Sequence, residues 1–256
     1  MLRAMRIGFI GAGNMASALA RGLGRPALVA DVDQRKAREL AQEIGGEAAE
    51  SNAAVADAAD LIFLCHKPAQ LEGVAAEIGE RTKAVISILG GVRLAAVEDA
   101  YPKSPVFRAI PNIPVETGKG VVVWVAGARA DQDLTQQVYE LLQPLGIDIK
   151  LWNEDLMAAS TAIASCGPAF LALIVEAFVD AGVKHGLTSN TAAQLAIETM
   201  AGTAEVLRES RGDTRALRVR VTSPGGITAR GLAELEAGGV RTAVERAVAA
   251  AVGTRP

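Results

Sequence analysis

Aromatic side chains are scarce in this 256-residue chain: five Phe, two Trp and two Tyr make up 4% of it. So thin a supply argues against a surface on which nucleic-acid bases stack, and with alanine and valine abundant it favours closely packed helices. Cysteine is scarcer still. Cys65 and Cys166 lie far apart and belong to no metal-type cluster, so neither a metal site nor a disulfide framework can be read from them. Cys65 ends the apolar run LIFLC and reads as a buried, inert thiol. Charge of one sign is lacking too. With 26 basic and 29 acidic residues the formal charge is -3, and no block of like charges suggests a nucleic-acid partner or a polybasic membrane anchor. No stretch of eighteen apolar residues and no secretory leader is apparent, and the expected location is soluble and cytoplasmic.

What the chain does have is apolar bulk, 50% of its residues, enough for one large domain or two smaller ones. Short apolar runs at Arg6–Ile10, Ala27–Ala30, Leu61–Leu64, Ala84–Ile88, Val106–Ile110 and Gly120–Val125 read as strands. Between the first four lie segments of helical spacing, such as QRKARELAQEI, which imply a parallel sheet covered on both faces. After IDIKLW the strand signals stop. Helices are expected at Glu154–Ala164, Pro168–His185 and about Ser189–Ser210, the last apolar over more than a surface stripe. The expected fold is α/β: a doubly wound, Rossmann-type domain over residues 1–152, then an all-α domain over residues 153–256.

The first strand runs into IGFIGAGNMASAL, which places Gly11, Gly13 and Ala16 in the G-x-G-x-x-G/A pattern at the mouth of a helix. Gly11 permits the tight turn, Gly13 lets a pyrophosphate approach the backbone, and Ala16 allows close helix–strand packing. Asp31 follows twenty residues after Gly11, at the end of the second strand. A carboxylate there accepts from adenosine-ribose hydroxyls and repels a 2′-phosphate, and Val32 beside it offers such a phosphate no hydrogen bond, so NADH is favoured over NADPH. Arg35 and Lys36 lie near enough to weaken that argument, and Asp31 as a plain turn residue stays open. His66 and Lys67 follow the third strong strand signal, at the sheet edge where ligands of such folds bind.

A second glycine loop lies far downstream. Ser223-Pro224-Gly225-Gly226 opens an amphipathic helix and is flanked by Thr222 and Thr228. A helix N-terminus carries unpaired N–H groups and the positive end of the helix dipole, so such a loop can receive an anion or can be an ordinary capped turn.

Taken together, GFIGAGNMASAL, ADLIFLCHKP, VISILGGV, FRAIPNIPVETGKG, SCGPAF, GVKHGL and VTSPGGIT occur in the order and spacing of the pyrroline-5-carboxylate reductase family, from Arg6 to about Val248. The chain is therefore identified, by resemblance, as a member. The resemblance implies hydride transfer from NAD(P)H to the imine carbon of cyclic 1-pyrroline-5-carboxylate, giving L-proline, the last step of proline biosynthesis. It also implies a homodimer through the helical domain, with dimers joining into larger rings. Carried over by residue, the cofactor touches Gly11, Ala12, Gly13, Asn14, Met15, Asp31, Val32, Asn52, His66, Lys67 and Gly90. The substrate meets Ser223, Gly225, Gly226, Ile227 and Thr228, with Thr228 the catalytic residue and no metal involved. The chain departs from the family's usual VKP, MPNTP, SGSGPAY and SPGGTT at His66, Ile113, Cys166 and Ile227, which leaves room for reduction of a different cyclic imine. Two further alternatives stay open at this point: a hydroxyacid dehydrogenase, whose helical-domain lysine only Lys184 could supply, and a non-catalytic redox sensor.

Overall fold

A computed structural model describes residues 5–253 and divides into two compact units, Met1–Ser165 and Cys166–Pro256. The first unit alternates strands and helices: β1 (Ile7–Ile10), α1 (Asn14–Leu23), β2 (Leu28–Ala30), α2 (Gln34–Glu43), β3 (Glu47–Ala48), α3 (Asn52–Ala58), β4 (Leu61–Leu64), α4 (Leu71–Ile78), β5 (Val85–Ser87) and α5 (Leu94–Ala100). It continues through β6 (Val106–Pro111), β7 (Gly120–Ala126), α6 (Gln132–Leu142), β8 (Gly146–Lys150) and the single turn α7 (Met157–Ser160). The strands form one eight-stranded sheet in the order β3-β2-β1-β4-β5-β6-β7-β8. All neighbouring pairs are parallel except β6 and β7. That pair reverses through the 3₁₀ turn Ile113–Thr117, which ends in Gly118 at φ +68°.

The continuous apolar runs of β1 and β4 are buried along their whole lengths, as parallel strands covered on both faces require. Phe9 and Phe63, partners in register, stack with ring centroids 4.9 Å apart. Both lie in the core layer formed with Leu19, Leu23 and Leu40 of the flanking helices. The other face buries Ile62, Leu64, Val74 and Ile78 around Tyr101. The apolar spacing of the helical segments thus turns one stripe of each helix to the sheet, and this fixes the loops at the strands' carboxyl ends.

The helix expected over Glu154–Ala164 is instead a segment that changes winding twice: a 3₁₀ turn at Glu154–Leu156, then α7, then a π turn at Thr161–Ser165. Hydroxyls account for part of this, since Ser160 Oγ donates to the Leu156 carbonyl and Thr161 Oγ1 to that of Met157, and such back-bonding bends helices. The segment belongs to the first unit by its contacts: Met157 is buried with Val123 and Val125 of β7.

The second unit holds α8 (Gly167–Lys184), α9 (Ser189–Glu209), α10 (Thr214–Arg220), α11 (Ile227–Ala237) and α12 (Val240–Val252). Among its described residues only Gly167 and Ala192 are buried, while Leu171, Leu173, Ile174, Phe178, Leu195 and Ile197 are exposed. Helices α8 and α9 line an open groove of about 600 Å³ whose walls include Leu171, Phe178, Leu195, Met200 and Leu207. The helical run Glu154–Lys184 reaches a mean hydropathy of 2.0 and is, by length and composition alone, apolar enough to cross a membrane.

Candidate functional site

In the first unit the strand order reverses between β1 and β4, so the loops after these strands flank the crevice beyond the sheet's carboxyl edge. Gly11 stands at φ +103°, and a Cβ on it would come 2.7 Å from the backbone C and O of Cys65. Only glycine fits that turn. Its N–H donates to the Ala30 carbonyl, tying the loop to β2. Gly13 is the extended N-cap of α1, with φ -77° and ψ 179° and no side chain capping the helix. A Cβ on Gly13 would meet no atom within 4 Å. There is thus room beside Gly13 for a ligand to approach the uncapped start of α1, which is what a diphosphate needs. Asn14 is exposed and Met15 half-buried, while Ala16 is buried beneath them.

Asp31 lies immediately beyond β2, and its carboxylate is held on both oxygens. Ala12 N–H donates to Oδ2 at 2.7 Å and Asp33 N–H to Oδ1 at 2.8 Å. It is therefore a turn residue and an oriented acceptor at once, since each oxygen keeps a second lone pair for a hydroxyl donor. Val32 is 92% exposed beside it. Arg35 is drawn to its own helix, 3.2 Å from Glu39 and 4.0 Å from Asp33.

On the other side of the reversal, Cys65 packs against the core, and burial pushes its thiol pKa up, so it is not a nucleophile. His66 Nδ1 lies 3.0 Å from the Lys67 carbonyl, which can only accept, so that nitrogen carries the hydrogen. Burial lowers the imidazole's pKa below its ordinary value despite this bond. His66 Nε2 is enclosed and unpartnered. A neutral ring with that nitrogen hidden is poorly suited to giving a proton to a substrate. Lys67 is exposed, and its N–H donates to Gln70 Oε1 at 3.0 Å to open a 3₁₀ turn. Asn52 opens α3 and donates from Nδ2 to Glu77 Oε2 on α4 at 2.8 Å. Gly90 is exposed in the loop after β5. The sheet edge thus gathers Gly11, Ala12, Gly13, Asn14, Met15, Asp31, Val32, Asn52, His66, Lys67 and Gly90, all within the loops and helix starts that follow β1 to β5.

The second unit repeats the device. Gly225 stands at φ +68°, and Gly226 is the extended N-cap of α11, with φ -70° and ψ 176° and again no side-chain cap. Gly226 N–H donates to the Ser223 carbonyl at 3.0 Å, and a Cβ on Gly226 would overlap Ser223 Oγ. Ser223, Gly225, Ile227 and Thr228 are exposed. Arg230, which the sequence reading passes over, reaches back to donate to the Gly225 carbonyl at 2.9 Å and staples the turn. Its signal was available in the spacing, since a long side chain one turn into a helix can reach the preceding loop. Uncapped first-turn amides with the Thr228 hydroxyl beside them can bind a carboxylate and offer a hydrogen bond to a neighbouring atom. Among the described residues no cluster of three or more His, Cys, Asp or Glu could hold a metal ion.

Known proteins divide the chain in a similar way. Residues 154–255 match the family model described as pyrroline-5-carboxylate reductase dimerisation, and residues 6–91 match that of NADP oxidoreductase coenzyme F420-dependent. The pyrroline-5-carboxylate reductase of Pseudomonas aeruginosa is 36% identical, over 96% of this chain and 94% of its own. That of Corynebacterium melassecola is 33% identical over 95% of both. Among solved structures, a pyrroline-5-carboxylate reductase from Coxiella burnetii superimposes with a TM-score of 0.90 at 30% identity, covering 99% of this chain and 100% of that one. The Plasmodium falciparum pyrroline carboxylate reductase with NADP bound gives a TM-score of 0.88 at 28% identity, covering 99% and 97%. With relatives this similar along nearly its whole length, the chain belongs to the pyrroline-5-carboxylate reductase family.

Proposed function

We propose that this protein reduces 1-pyrroline-5-carboxylate to L-proline with a reduced nicotinamide dinucleotide bound by a Rossmann-type domain over residues 1–152, and that residues 153–256 form a helical dimerisation and substrate domain. The observation that carries the reading is near-full-length similarity to pyrroline-5-carboxylate reductases in a chain that keeps both glycine-opened helices. The bound cofactor supplies the hydride. The amides from Gly13 to Met15 at the start of α1 hold its diphosphate, with Gly11 and Ala12 shaping the turn beneath it, and Asp31 orients the adenosine ribose. Asn52, His66, Lys67 and Gly90 line the remainder. The loop Ser223, Gly225, Gly226 and Ile227 holds the substrate carboxylate against the uncapped start of α11. This fixes which ring face meets the hydride. The Thr228 hydroxyl hydrogen-bonds the ring nitrogen and relays its proton. A protonated imine is already electron-poor, so no strong acid is needed, which agrees with a neutral His66.

NADH is the preferred form in this reading. The fixed Asp31 carboxylate repels a 2′-phosphate, exposed Val32 cannot bind one, and Arg35 is engaged with Glu39. The protein works as a homodimer in which a second copy covers α8 and α9, with dimers joining into a ring. That cover, rather than lipid, accounts for the apolar run Glu154–Lys184. Its two free cysteines suit a reducing compartment, and we place it in the cytoplasm. The test is steady-state reduction of 1-pyrroline-5-carboxylate and of its six-membered homologue, each with NADH and NADPH. The expected result is the highest kcat/KM for the five-membered imine with NADH. Preference for the six-membered ring would assign another imine.

A further inference from the structure

Glu154 sits where β8 gives way to the 3₁₀ turn, and three groups converge on it and its neighbour. Its Oε1 accepts from the Leu94 N–H at 2.6 Å and from Arg108 at 2.5 Å. Its Oε2 lies 3.5 Å from Arg93 Nε, and Arg93 also pairs with Asp155 at 2.9 Å. The Arg108 and Glu154 side chains are only 11% and 15% exposed. An ion pair so enclosed is a poor stabilising device compared with apolar packing, and its geometry is the more informative property.

That geometry bears on one loop. Leu94 begins α5, whose N-cap Arg93 offers no capping side chain, so Glu154 caps this helix from sixty residues away. The loop between β5 and α5 carries Gly90 and Gly91. Within it only long contacts appear, Leu89 N–H to Ser87 Oγ at 3.4 Å and Val92 N–H to the Leu89 carbonyl at 3.3 Å. Gly91 adopts φ +76°, and a Cβ on either glycine would touch nothing. Leu89 is buried and Val92 packs beside it in the core around Tyr101, so the exposed Gly90–Gly91 tip is held from its flanks, on the α5 side by Val92 and by the latch on Arg93 and Leu94. Asp31 takes the adenosine half on the β2 side of the strand reversal, which leaves the nicotinamide half to the loops after β4 and β5.

We propose that Glu154 is a positioning residue for the nicotinamide end of the cofactor site, acting through Leu94 and Arg93 on the Gly90–Gly91 loop. This rests on the dinucleotide reading above. The test is calorimetric titration of the full chain with NADH and, separately, with ADP, which lacks the nicotinamide half. Glu154→Ala raises the NADH Kd by about five- to thirtyfold, the scale of one or two lost hydrogen bonds, and leaves the ADP Kd within about twofold. Glu154→Gln, which keeps an oxygen for the Leu94 amide, falls between. Equal losses for NADH and ADP, or none, overturn the proposal, because a purely structural role does not discriminate between them. If Glu154→Ala fails to fold, Glu154→Gln carries the test through amide exchange: exchange over residues 88–93 speeds up while β5 stays protected, and an unchanged loop overturns the proposal. A wild-type chain that binds neither NADH nor ADP overturns the dinucleotide reading itself, whereas wild-type binding without a differential loss overturns the latch alone.

Discussion

The two units use nearly the same loop on very different foundations. Gly13 and Gly226 share an extended backbone, each follows a glycine at positive φ two or one residues earlier, and each opens a helix that no side chain caps. Yet Gly11 and Ala12 are buried and wedged between β2 and β4, whereas the Ser223–Thr228 loop is exposed and held by its own turn and by Arg230. The first unit buries Trp124, Tyr101, Phe9, Phe63 and Phe107 in a core of its own, and the described part of the second buries only Gly167 and Ala192. A sheet edge can preorganise a binding loop within one chain. A layer of helices with this much apolar surface exposed needs a further surface to rest on.

The contrast is broken most severely by charging the exposed helices. Phe178→Glu, in the α8–α9 groove, should abolish dimerisation and turnover while leaving the first unit folded and able to bind NADH, as read by light scattering and calorimetry. A stable, active monomer would contradict the difference drawn between the units. Next come the glycines themselves. Gly11→Ala places a Cβ against backbone at positive φ and should destabilise the first unit by about 1–3 kcal/mol, seen as a lowered Tm together with lost NADH binding. Gly226→Val meets Ser223 alone, chiefly its rotatable hydroxyl and more distantly its carbonyl oxygen, so Tm should fall far less than in Gly11→Ala while the substrate KM rises about tenfold, the loss falling on ground state and transition state alike. If both variants lose Tm equally, the two loops rest on equal foundations.

Thr228→Ala sharpens the division of labour in the second loop. It should lower kcat by about 1–3 kcal/mol of transition-state stabilisation with NADH affinity unchanged, and wild-type kinetics there would reduce the loop to a helix cap. In the first loop, Asp31→Ser with Val32→Arg should move the cofactor preference toward NADPH by about tenfold, measured as the ratio of kcat/KM values.

Legibility from sequence followed the same divide. The strand runs LIFL and GVVVWV and the glycine loop after β1 were plain, because buried strands and the ligand loops that follow them are written in contiguous residues. The two-residue β3 and the edge strand β8, with exposed Ile147 and Ile149, gave little signal. Glu154 and Arg108 were passed over because their partners lie tens of residues away, and nothing local marks a carboxylate that caps a distant helix. The SPGG loop reads from its own residues as an anion cradle or as a turn, and only the family resemblance favours the first, since its surroundings are not supplied by neighbouring sequence.

The smallest expected effect concerns Glu154. Burial alone would raise its pKa, but the Leu94 amide and the Arg108 and Arg93 guanidiniums outweigh that and hold it below the ordinary carboxylate value. Its contribution to stability is therefore fully present above the unfolded value of about 4.3 and is lost as pH falls through the lower folded one. Tm followed from pH 6 downward should fall less steeply in Glu154→Gln than in wild type, and parallel curves would argue against the sign.

The most direct measurement is oxidation of NADH by purified protein on addition of 1-pyrroline-5-carboxylate, with the product resolved chirally. Stoichiometric L-proline is the expected product, and the Asp31 carboxylate beside Val32 predicts faster turnover with NADH than with NADPH. Tight NADH binding without turnover of the imine would contradict it.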